Sequence, residues 1–301
     1  MKKHLFTNFF LLLLVIGLGL FLFTDEIDQN GLIQLSSLSA DTITQISIHH
    51  KQRDILLIKS DQQWRLTKPV DINANQFRIK TLLNLLSISS LARYTAEDIE
   101  LKKYGLSQPE THITFNDLKI EFGIVNPINQ LRYIKIDGEV HLTEDNFYPL
   151  LSSQIGTLIA RELIPAEATI TKLVLPENNF TRDDNDIWKS NKNISSDAIV
   201  EAIYQWQHKQ SFAVHDYMQR DSLGEVLVYL KNTETPVSFH ITDIDPWLII
   251  TRPEIKLEYH FNIEDYNGLL KPGAVRDDKQ LDSDATLQVS PEEFINAIQS
   301  Q

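Results

Sequence analysis

Apolar residues are spaced in three ways along this chain, and the changes between them divide it. Leu5 to Phe23 is apolar almost throughout, with Thr7 and Asn8 near its start as the clearly polar members. As a helix this block measures about 28 Å, close to the hydrocarbon thickness of a bilayer. Lys2 and Lys3 precede it, while Asp25, Glu26 and Asp28 follow it. The positive-inside tendency therefore predicts a cytoplasmic N-terminus at 1–4, a transmembrane signal anchor at 5–23 and an exported remainder that begins with a linker at 24–42. A cleaved signal peptide competes with this, using Leu5 to Ile16 as its apolar region and Gly17 and Gly19 as small cleavage-site residues. Cleavage there leaves the apolar run Leu20 to Phe23 at or near a new terminus, so a retained anchor is the reading adopted.

From Ile43 the period changes to that of short strands. Ile43, Ile46 and Ile48, then Ile55 to Ile58, then Trp64 with Leu66 predict a β-meander broken by the turn-prone Lys51 to Asp54 and Ser60 to Gln63. After Pro69, Asn73 is a candidate N-cap for a helix whose apolar stripe is Phe77, Ile79, Leu82, Leu83 and Leu86. Strands follow at His112 to Phe115, Lys119 to Phe122, Leu131 to Ile136 and Val140 to Leu142, and Phe147 to Leu151 closes the unit.

The same order recurs. Ile170 to Leu173 matches Ile43 to Ile46, and Ile187-Trp188-Lys189 matches Gln63-Trp64-Arg65. A second capped helix starts near Ser195 or Ser196 and carries Ile199, Val200, Ile203, Tyr204 and Trp206. Strands are expected at Gly224 to Leu230, Val237 to Ile241, Trp247 to Thr251 and Ile255 to Phe261, and Asp265 to Leu270 parallels Asn146 to Leu151. The predicted fold is α+β: an N-terminal transmembrane helix, then two similar β-rich units, each an antiparallel sheet with a packed amphipathic helix. The boundaries are 43–151 for the first unit, 152–168 for a connector, 169–271 for the second unit and 272–301 for an acidic tail with a short helix at Pro291 to Ile298. Divergent duplication accounts for the pattern and requires one strand order in both units.

Charge and chemistry narrow the function. The net charge of −13 opposes binding to nucleic-acid backbones, so nucleic acid is not an expected partner. With no cysteine there is no disulfide, no Cys-type zinc site and no lipidated cysteine. Phosphate-cradling glycine loops, nucleophile elbows and His-Glu-x-x-His are absent from the sequence. His49 and His50 are adjacent, so on a strand they point to opposite faces and do not chelate one metal. Asp183-Asp184-Asn185-Asp186 lacks the glycine and distal glutamate of a calcium loop and is read as a turn, as is Asp243-Ile244-Asp245-Pro246. No catalytic, cofactor or metal residues are assigned. Trp64 and Trp188, at matching positions, are read as core anchors.

Trp64-x-Leu66 with Pro69, Tyr104-Gly105-Leu106-x-x-Pro109, Phe122-Gly123, Tyr133 and Val140-x-Leu142 resemble the DUF4340 family over roughly Ile43 to Leu151. Ile155 to Pro165 looks like that family's connector. The second unit lacks a Tyr-Gly-Leu-x-x-Pro equivalent. The resemblance implies a membrane-tethered β-rich module of the bacterial envelope, sometimes associated with ABC-transporter systems, and implies no catalytic residues or cofactor. The expected function is a non-enzymatic, membrane-tethered binding or scaffolding subunit of an envelope complex. It would sit in the inner membrane through 5–23, with its body in the periplasm and an integral-membrane or envelope protein as partner. The alternative is an envelope hydrolase with a noncanonical acidic site, which needs convergent carboxylates of raised pKa.

Overall fold

The computed structural model describes residues 33–273. The expected anchor at 5–23, the residues before it, and the tail helix at 291–298 lie outside the described residues. Among those described, no helix is long and apolar enough to cross a membrane. The chain forms two compact units that divide between Ala160 and Arg161. The expected connector is therefore not a separate segment. Ile155, Leu158 and Ile159 are buried in the first unit, where Ile159 bridges Ala74, while Leu163 and Ile164 are buried in the second, where Glu162 bridges Gln210.

The first unit contains β1 (Ile33–Gln34), β2 (Gln45–His50), β3 (Arg53–Ser60), β4 (Gln63–Lys68), β5 (Ile72–Asn73), α1 (Gln76–Leu83), β6 (Ser89–Ser90), β7 (Ala92–Thr95), β8 (Thr111–Phe115), β9 (Leu118–Val125), β10 (Arg132–Ile136), β11 (Glu139–Thr143) and α2 (Tyr148–Ser152). Strand β1 pairs with β6, so the end of the expected 24–42 linker is part of this unit. The other strands form one antiparallel sheet in the order β5-β4-β3-β2-β8-β9-β10-β11-β7. Two of its tight hairpins use paired left-handed residues, Asp61-Gln62 and Asp137-Gly138, whose backbone twist matches that of the flanking strands. Ile46, Ile48, Ile55, Leu57, Ile113 and Ile120 alternate onto one buried face, with α1 and α2 as its cover.

The helix α1 starts later than expected. Asn75, not Asn73, caps it by accepting from the Arg78 N–H, because Asn73 is held extended in β5 opposite Arg65. Ile79 and Leu82 are buried, and the stripe continues through Leu85 and Leu86 in a 3-10 turn. Phe77 falls off that stripe and is 72% exposed.

The second unit contains β12 (Ile170–Val174), β13 (Asn179–Arg182), β14 (Trp188–Ser190), α3 (Ser196–His208), β15 (Ala213–Asp216), β16 (Gly224–Leu230), β17 (Val237–Ile244), β18 (Trp247–Arg252), β19 (Leu257–Asn262) and α4 (Asp265–Leu270). Its antiparallel order is β14-β13-β12-β16-β17-β18-β19-β15. Ser195 caps α3 through the Ala198 N–H. Trp206 is fully buried against Phe239, and its indole N–H donates to the Leu269 carbonyl, which ties α3 to α4.

With the two-residue β5 set aside, both sheets have one strand order. Three strands run from the centre to one edge, a helix follows, the next strand takes the opposite edge, and four strands fill the gap from the centre outward. Register shifts recur at matching places, Phe122–Val125 in β9 and Ile241–Asp243 in β17. The matching tryptophans diverge. Trp64 is 5% exposed, whereas Trp188 is only half-buried, in a three-residue edge strand that follows the exposed turn Asp183 to Ile187.

These burials predict unequal costs. Trp64→Ala is expected to lose about 3–5 kcal/mol, read by hydrogen exchange as lost protection across β2, β3 and β4. Trp188→Ala should cost about 1 kcal/mol or less. Equal losses at the two positions would contradict the packing described.

Candidate functional site

The Tyr104-Gly105-Leu106 element lies in the connection from β7 to β8. Strand β7 is an edge strand and β8 is central, so this connection must cross β11, β10 and β9. A 3-10 turn, Leu101–Tyr104, ends at Gly105 in the left-handed conformation (φ 71°), which lets the Leu106 N–H reach back to the Leu101 carbonyl. Leu106 is buried, Pro109 half-buried, and the Tyr104 ring sits 4.6 Å from that of Tyr133. Gly123 makes this seat possible. A Cβ there would lie 2.2 Å from the Tyr104 carbonyl oxygen and 2.9 Å from Leu106 Cγ. On its other side Gly123 is fixed by Arg132, which donates to its carbonyl, grips Asp145 with two nitrogens and lies 3.6 Å over the Tyr148 ring. These motif residues meet to clamp a crossing segment to the sheet. Pro69 lies elsewhere, exposed after a cis peptide beyond β4, and Trp188 lies in the other unit.

The sheet face opposite the helices carries polar side chains in register. In the first unit one cross-strand row runs Asp54, His49, His112, Glu121, Lys135. His49 Nδ1 is 2.7 Å from Asp54, the His49 and His112 rings stack at 4.8 Å, and Glu121 takes Lys119 at 2.8 Å and Lys135 at 2.6 Å. The row is neutralised in place. His50 points to the other face, against Thr111 and the Tyr148 ring, as the alternation predicts.

In the second unit the corresponding face is built around Glu258, which is 1% exposed. Its carboxylate accepts from the Met218 N–H (3.0 Å) and the Arg220 guanidinium (2.8 Å) and meets His260 Nε2 at 2.8 Å. The His215 ring abuts His260 at 4.7 Å, and Phe212 links His260 to Trp247. Met218 and Arg220 belong to the β15-to-β16 connection, Tyr217 to Leu223. It is the counterpart of the Tyr-Gly-Leu segment but has seven residues in place of fifteen.

Burial alone would raise the Glu258 pKa, but the Met218 N–H, His260 and Arg220 together outweigh it and hold the carboxyl below its usual range. Glu121 behaves likewise, with burial overcome by Lys119 and Lys135. Asp183 is held low by Lys189 and by the Ile187 N–H it accepts, which is the turn read from its sequence. Among the described residues no group of three His, Cys, Asp or Glu side chains is placed to hold a metal. Arg132, Asp145, Arg220 and Glu258 were not singled out by sequence reasoning. The one available signal was a glutamate inside the apolar run Leu257-Glu258-Tyr259, which a buried ion pair explains.

A family model described as a domain of unknown function (DUF4340) matches residues 64–213. This chain belongs to the DUF4340 family. No curated protein and no solved structure matches it. The DUF4340 match takes in the whole clamp, including Tyr104, Gly105, Gly123, Arg132 and Tyr133. It starts later than the Ile43 expected from the motifs and extends further, through α3 to the first residue of β15.

Two outcomes follow for this DUF4340 chain. Gly123→Ala should cost about 1–3 kcal/mol by overpacking and strip hydrogen-exchange protection from 101–106, whereas unchanged protection there would rule out the clamp. The second concerns pH. His50, His112 and His141 are all held below 6.5, chiefly by burial, with Arg53 adding to the effect at His50 and Lys119 at His112. The unfolded chain then binds more protons than the native one below about 6.5, so first-unit stability is full above that pH and falls as pH drops through the lowered native values. Protection in the first sheet should therefore be weaker at pH 5 than at pH 7.5, and an equal or greater value at pH 5 would refute it.

Proposed function

We propose that this chain is a membrane-tethered, non-enzymatic binding or scaffolding subunit of a bacterial envelope complex, of the kind built around ABC-type transporters. The apolar block at 5–23 serves as its inner-membrane anchor, and the two units stand in the periplasm. The observation that carries this reading is the shared layout of the sheets. Each keeps its helices on one face and leaves the other with exposed polar and apolar side chains, which suits contact with a macromolecule. The lowered pKa of Glu121, Asp183 and Glu258 supports it further. A glycoside hydrolase's general acid needs a raised pKa, and these carboxylates are spent as hydrogen-bond acceptors. Anchoring confines chain and partner to one membrane and raises their effective concentration, so a weak contact suffices.

The test is crosslinking in intact cells, with the anchor present and with the body released as a soluble form. Reproducible crosslinks to one membrane complex that fade on release are expected. A purified body that hydrolyses an envelope polymer, and stops when one carboxylate is neutralised, would overturn the reading.

A further inference from the structure

The two units provide an internal comparison, because one strand order produces two open faces with different finish. In the first, Asp54 and Glu121 are each met by a partner on a neighbouring strand, and the crossing segment has fifteen residues with which to cover the sheet. In the second, the crossing segment has seven residues. Four inter-strand steps of about 4.8 Å separate β15 from β16, so about 19 Å must be bridged by a segment whose full extension is about 25 Å. It passes over the buried Glu258, which it meets through Met218 and Arg220, and leaves other side chains on this side exposed.

What it leaves uncovered is apolar and negative. Phe212 and Trp247 are each 45% exposed and touch edge to face at 5.1 Å. Met218 and Leu223, on the strap itself, are 62% and 60% exposed. The strap also carries Asp221, and Glu225 lies on β16, where it accepts from the Ser238 hydroxyl. Asp243 and Asp245 lie in the β17–β18 connection next to Trp247, with Asp243 accepting from the Ile244 and Asp245 N–H groups. Among the described residues none of these four carboxylates is in an ion pair. The nearby cation on the strap, Arg220, is committed to Glu258.

We propose that this face docks a segment of a protein partner in which apolar side chains are interspersed with Lys or Arg. Phe212 and Trp247 supply the apolar anchors, and the four carboxylates supply the charge that the partner must complement. The sign of the patch argues against other occupants. Anionic lipid headgroups are repelled, as is the same face of a second copy. The chain's own tail, with Asp277, Asp278, Asp282, Asp284, Glu292 and Glu293, carries the same sign. The inference rests on the binding reading above and names the face and the chemistry of its partner.

The full-length chain, in its native membrane, tests this with a photo-crosslinking amino acid placed singly at Trp247 or Leu223, and at two exposed controls, Tyr204 on α3 and Ile128 in the first unit. Crosslinked peptides from the two patch positions should map to one membrane-protein segment containing Lys or Arg among apolar residues. Asp243→Lys combined with Asp245→Lys should lower that yield about tenfold, with unchanged hydrogen-exchange protection in β17 and β18. Crosslinks to lipid, glycan, a second copy or an acidic segment would overturn the proposal, as would a yield indifferent to the charge reversal. Crosslinks from Tyr204 or Ile128 alone would overturn it while leaving the binding reading intact. Silence at all four positions would remove both.

Discussion

The constraint on which the rest of the molecule depends is topological. In each sheet the strand after the helix occupies the far edge, and the next strand returns to the centre. Two crossings are therefore compulsory. The helix makes one over the apolar face, where α1 packs on β4 in the first unit and α3 packs on β12, with Trp206 against Phe239, in the second. The second crosses the opposite face, where the sheet offers polar side chains and solvent. A segment on that side has no core to enter, so it needs fastening of another kind.

The units solve the fastening differently. In the first, a glycine removes the one side chain that would keep the segment off the sheet, and contact is made backbone to backbone beside Tyr133. Arg132 then braces the same glycine from beneath, with Asp145 and Tyr148 meeting its charge and its flat face. In the second, Thr242 falls within the register shift that corresponds to Gly123, and the fastening passes to an ionised glutamate gathering a backbone donor, a guanidinium and an imidazole. Removing any one donor leaves a buried charge short of a partner, so this is the more brittle arrangement.

Much of this fold was legible from periodicity. The central strands, both helices and the paired closing segments follow from apolar spacing, because those elements bury a face and must display it in sequence. The edge strands β7 and β15 were missed for the converse reason. Ala92 to Thr95 and Ala213 to Asp216 are four residues long, polar in half their positions, and defined by hydrogen bonds to β11 and β19 that leave no apolar trace. Asn73 looked like a cap, yet pairing with Arg65 kept it extended. Trp188 looked like a second Trp64 because sequence carries identity and spacing, whereas burial depends on what packs above. The Tyr-Gly-Leu motif could be read as distinctive, but its seat on Gly123 joins residues far apart in the chain and needed the structure.

Strand β2 has a mechanical consequence. Among the described residues it is the first long strand, yet it lies inside the sheet, paired along its length with β3 on one side and β8 on the other. Tension entering from the N-terminal side meets the short β1–β6 pairing first and can peel it. Beyond it, a pull along the axis of β2 loads both ladders in shear, and antiparallel hydrogen bonds lying across the pull must yield together rather than one by one. The first unit is thus built to bear load at its N-terminal side, with a weak link ahead of a strong one.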